Sequence, residues 1–216
     1  WLRQGDPTAK IIGPSILNWE WTCFSLCNYQ QGKVWLQQFI AEHERLYGEK
    51  PPVDAWAIDT YPIDWVRTPN SATHAAIVID QLQGMRQYLD GIPKYVDTPI
   101  WITEIAVHVG YDRWKFDSAI DPVGSYHWDK MSDYLIAVLD WLEANAAANK
   151  IEKWFFFIAW LDIVNVGGSG YMGIVFFGGP NVDDPLKLNC LGRIYRARAF
   201  GEPRVRCDHD GNVVPE

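Results

Sequence analysis

Apolar residues fall into four short continuous runs, at 10–17, 53–59, 99–105 and 152–160. They are rich in Ile, Val, Trp and Phe and too short for buried helices, so each predicts a strand. Between the runs apolar positions recur every three or four residues, which predicts helices. The first covers 33–47, with Val34, Trp35, Phe39, Ile40 and Leu46 inward and Gly48 as its stop. The second covers 72–89, capped by Asn70 or Ser71, with Ile77, Leu82, Met85 and Leu89 on one face. The third covers 129–148, with Met131, Tyr134, Leu135, Val138, Leu139 and Leu142 inward, and a last one lies near 188–199. Loops fill 22–32, 60–65, 107–127 and the Gly-rich 165–180. The opening segment, Trp1 to Pro7, reads as a helix tail followed by a turn, as if the chain begins inside a larger fold.

The order is therefore β-α-β-α-β-α-β-α. Alternation with continuous apolar strands implies parallel strands covered by helices. Long loops after each strand fit a (β/α)8 barrel, and no G-x-G-x-x-G joins a strand directly to a helix, which argues against a dinucleotide fold. Four strands make only half a barrel, with two open edges. The expectation is that residues 1–200 form the C-terminal half of a TIM-barrel domain, with 201–216 a tail.

Composition narrows the function. The 216 residues include twelve Trp, ten Tyr and nine Phe, more than a core needs, which suits a site for flat, partly apolar faces such as sugar rings. Net charge is −8 with no Lys/Arg cluster, which argues against nucleic acid or an anionic membrane as partner. No apolar run approaches the ~20 residues of a membrane span. Cys23, Cys27, Cys190 and Cys207 allow three disulfide connectivities; Cys23 and Cys27 could instead be two thiols or a metal half-site, though no His completes a zinc set. No cofactor is expected.

The candidate chemistry sits at strand exits. Glu104 ends the run Pro99-Ile-Trp-Ile-Thr-Glu104, and a carboxylate at the carboxyl end of an α/β strand is a functional candidate because an unpaired charge is costly in an apolar wall. Tyr61 and Asp59 lie at the second exit, Asn18, Trp19, Glu20 and Trp21 at the first, and Trp160 and Asp162 at the fourth. Trp19 and Trp160 offer π-faces to a pyranose, Asn18 lines the cleft, and Asp59 and Asp162 could bind sugar hydroxyls or be solvated loop acids. His108 reads as a loop histidine, and His43 and His74 as helix-surface residues.

Pro7 to Gly13, Ala57-Ile-Asp-Thr-Tyr-Pro62, Pro99-Ile-Trp-Ile-Thr-Glu-Ile-Ala106, Trp154 to Trp160 and Leu191-Gly-Arg-Ile-Tyr-Arg-Ala197 together resemble, in order, strands five to eight of the clan A retaining glycoside hydrolases. The likeness is nearest to families described as a glycosyl hydrolase catalytic core or cellulase-like barrel. It implies that Glu104 is the nucleophile, that Tyr61 supports it and that Trp160 floors a sugar subsite. Asp59 stands where relatives often have His. The acid/base Glu of the clan lies after strand four, usually in Asn-Glu, a segment that would precede Trp1. Retaining hydrolysis needs two carboxyls about 5–5.5 Å apart, so this chain is expected to supply the nucleophile half, to lack activity alone and to be prone to self-association. The partner implied is a carbohydrate and the setting secreted. The alternative is a non-catalytic carbohydrate-binding or scaffold protein on a truncated barrel. A phosphate site at Gly167-Gly168 finds no Lys or Arg beside it.

Overall fold

The computed structural model describes residues 2–20, 30–62, 71–106, 128–157, 176 and 187–216. A one-turn helix, α1 (Leu2–Gly5), precedes β1 (Ile12–Leu17). Then follow α2 (Gly32–Tyr47), β2 (Ala55–Thr60), α3 (Ser71–Asp90), β3 (Ile100–Ile105), α4 (Trp128–Asn145), β4 (Ile151–Phe156) and α5 (Cys190–Phe200). The first four strands form one parallel sheet in the order β1-β2-β3-β4. No helix among the described residues is long and apolar enough to cross a membrane.

The helices bury the faces that their apolar spacing dictates. All six positions expected on α4 are buried, and Val78 joins Leu82, Met85 and Leu89 on α3. α2 is the exception: Leu36 and Ile40 face inward, whereas Trp35 and Leu46 are exposed. Trp35 instead stacks on Phe39, one turn further along the flank. Gly48 ends α2 in the left-handed conformation that a C-terminal glycine permits, its N–H donating to Glu44 O. His74, expected on a surface, is buried near the start of α3.

Under the helices, Trp56 of β2 is fully buried. Its ring lies edge-on to Phe39 and Tyr95 and directly over Gly13, where a Cβ would come within 2.4 Å of it. Gly13 and Pro14 fall in a bulge of β1, so Pro14 interrupts the ladder where pairing is already broken.

The sheet is strongly curved. Ser15 of β1 and Thr103 of β3 share a hydrogen bond of 2.7 Å although β2 runs between them. Strands two apart in a flat sheet are separated by about 9.5 Å, too far for two short hydroxyls. They meet because Ala57, the β2 residue paired with Ser15, is small and the sheet folds toward that side. Lys10 and Glu152, at the starts of the two outer strands, approach to 3.6 Å on the same account.

Residues 201–216 are more than a tail. β5 (Val205–Cys207) and β6 (Val213–Pro215) form an antiparallel hairpin. A Cys190–Cys207 disulfide ties it to the start of α5, and Cys207 N donates to Ser132 Oγ of α4. Arg198, nearly buried, binds Asp140 and Glu143 of α4 and Glu216 after the hairpin.

Candidate active site

The described strand exits gather on one rim of the sheet, the place where parallel α/β folds carry their chemistry. What aims Glu104 there is a β-bulge. Ile58 pairs with Ile102 and the next residue, Asp59, pairs with Glu104, so β3 holds one extra residue at this point. Without it, alternation would turn Glu104 to the helix side with Ile100 and Ile102. With it, Thr103 and Glu104 both reach the groups at the exit of β2, and Ile105 returns to the core. Bulges beside active sites commonly re-aim a side chain in this way.

Glu104 is half-buried and accepts a hydrogen bond at Oε2 from the Tyr61 hydroxyl. Tyr61 is itself buried, with its ring edge-on to Phe157 at the exit of β4. Burial raises its phenol well above the ordinary tyrosine range; the hydrogen bond to Glu104 and the charges of Glu104 and Asp59 add to the rise. Tyr61 therefore stays protonated and acts as a donor throughout neutral pH.

Asp59 is held from below. Thr103 Oγ1 lies 2.7 Å from Asp59 Oδ1 and 3.3 Å from Ile58 O. A hydroxyl has one proton and the carboxylate is the stronger and nearer acceptor, so Thr103 donates to Asp59 and Ser15 donates to Thr103. The result is a polar track, Ser15–Thr103–Asp59, leading across the concave face to the rim.

Asn18 and Trp19 depart from the expectation that they line a cleft. Asn18 is 0% exposed: its N–H donates to Asp59 O at 2.8 Å, and its Oδ1 accepts from Tyr61 N at 2.7 Å. Trp19 is 1% exposed, with its indole against Gly84 of α3 and Tyr88. The Trp19 backbone N–H donates to Gln81 Oε1, and Gln81 in turn reaches Thr60. That packing leaves no indole face for a sugar. Glu20 is exposed and paired with Lys33. Trp21, Cys23, Cys27, His108, Trp160, Asp162 and the Gly167-Gly168 pair lie outside the described residues. Among the described residues no group of three or more His, Cys, Asp or Glu is placed to hold a metal ion.

The class defined is an α/β fold: a curved parallel sheet with an acid and a phenol paired at its carboxyl rim. The particular family follows from the sequence: the family model described as glycosyl hydrolase catalytic core matches residues 2–173, and the chain belongs to that family. Its substrates are accordingly carbohydrates. No curated protein matches the chain.

Proposed function

We propose that this domain hydrolyses glycosidic bonds with retention of configuration, Glu104 attacking the anomeric carbon. The observation that carries the reading is the Tyr61 hydroxyl on Glu104 Oε2 at the carboxyl rim. A nucleophilic carboxylate must be ionised and fixed in one rotamer, and a protonated donor on one oxygen does both while leaving the other to react. Asp59, locked by Thr103, is suited to accept hydrogen bonds from sugar hydroxyls. Trp160, which follows the last apolar strand, is the aromatic platform of the subsite.

The four strands act as the fifth to eighth of an eight-stranded barrel, and the acid/base Glu comes from the other half. Three features support this. The sheet is curved like a barrel wall. β1 and β4 each have a single neighbour among the described strands. Leu17 and Phe155, on the concave side with Ser15 and Lys153, are exposed where a barrel interior would cover them. The Cys190–Cys207 disulfide favours an oxidising compartment, and hence a secreted enzyme acting on polysaccharide.

The test follows dinitrophenolate release from dinitrophenyl glycosides, whose leaving group departs without a proton, so that forming the glycosyl-enzyme needs only the nucleophile. Glu104→Ala should lower turnover at least about a thousandfold. Azide should restore it by filling the space left by the carboxylate and giving the inverted glycosyl azide. Near-normal turnover in Glu104→Ala would remove Glu104 from the mechanism.

A further inference from the structure

Asn18 ends β1 in a left-handed conformation with φ 54°, one of two non-glycine residues with positive φ among the described residues. Asn tolerates this region better than most side chains, because its short carboxamide can hydrogen-bond locally. The turn carries its carboxamide across the seam to the exit of β2. There Oδ1 takes the N–H of Tyr61 at 2.7 Å while the Asn18 N–H takes Asp59 O at 2.8 Å. One residue thus clamps both ends of the segment that presents Asp59 and Tyr61. The clamp is rigid: Asn18 is wholly buried, and its carbonyl abuts Gly32 at the start of α2, where a Cβ would lie 1.9 Å from that oxygen. Its Nδ2 has no hydrogen-bond partner among the described residues. A buried amide with one half unsatisfied is costly, and the half that is satisfied holds Tyr61.

We propose that Asn18 is a positioning residue, fixing the Tyr61 backbone so that the phenol stays on Glu104. Its consequence for turnover rests on the assignment of Glu104 as nucleophile; the tether itself does not. Asn18→Gly separates side chain from backbone, since glycine keeps the left-handed turn without strain and loses only the carboxamide. Asn18→Ala would lose both.

The readout is exchange of tyrosine hydroxyl protons in the NMR spectrum of the whole chain at neutral pH. The wild type should show a protected Tyr61 hydroxyl proton, assigned by its absence in Tyr61→Phe. In Asn18→Gly it should exchange at least about tenfold faster, the scale of one lost hydrogen bond. The buried Tyr134 hydroxyl, which donates to Ala106 O, should keep its rate. Equal acceleration of both protons would mean that Asn18 serves only overall stability, and no change in either would mean that it does not act on Tyr61; either result overturns the proposal. Absence of a protected Tyr61 proton in the wild type would overturn the Tyr61–Glu104 pairing as well, so the two failures are distinguishable. If Asn18→Gly does not fold, exchange is compared within the wild type. Equal protection of the Tyr61 amide and hydroxyl supports the tether, and an amide that exchanges much faster than the hydroxyl overturns it.

Discussion

Tyr61 is the residue on which the site's electrostatics turn. Its phenol ionises well above the ordinary range in the fold, chiefly through burial and then through Glu104, but near pH 10 in the unfolded chain. A group with a raised folded pKa adds stability that is fully present below the unfolded value and lost as pH climbs through the folded one. Wild-type stability should therefore fall more steeply than that of Tyr61→Phe above about pH 10. Denaturant melts across that range check this, and Tyr95 and Tyr134, also raised by burial, cancel in the difference. Parallel curves would contradict it. That Glu104 and Tyr61 would be neighbours was legible because both lie at strand exits, which adjacent parallel strands bring together, while Tyr61's part beside Glu104 was implied only by the family resemblance. The place of Trp19 was not legible. An aromatic at a strand exit looks like a platform until Gly84, on a distant helix, proves to have made room for it.

At the scale of elements, Gly84 lies within α3, where it costs about 1 kcal/mol relative to Ala. It is kept because Trp19 fills the space: a Cβ there would meet the indole at 2.8 Å. Gly84→Ala should therefore destabilise by about 1–3 kcal/mol despite better helix propensity. A thermal melt checks this, and a stabilised variant would contradict the packing. Continuous apolar runs located the four parallel strands, and periodic spacing located the main helices because burial on one face is what such spacing records. It misassigned Trp35, an apolar residue on the flank of α2, and missed two features. The bulge at Thr103–Glu104 inserts one residue into β3 and has no compositional sign. The hairpin of β5 and β6 has strands of three residues, too short for alternation to show, and it is held by a disulfide whose partners the cysteine count left open.

At the scale of the whole molecule, the concave face brings Ser15 of β1 to Thr103 of β3 across β2, a curvature that strand counting alone could not reveal. Exposed Leu17 and Phe155, beside β1 and β4 that each have a single neighbour among the described strands, should make the chain self-associate, with a mass by light scattering that rises with concentration. A monomer active on unactivated glycans would show that a second catalytic carboxylate lies within these residues and would contradict the half-barrel. The most direct test of the central claim is to trap the covalent intermediate. The protein is incubated with 2-deoxy-2-fluoroglycosyl fluorides of the common hexoses, which need no acid catalyst and hydrolyse slowly once attached. Peptide mass mapping then locates the sugar. A glycosyl adduct on Glu104, absent in Glu104→Gln, is the expected result; an adduct on Asp59 or another carboxylate, with Glu104 unmodified, would contradict it.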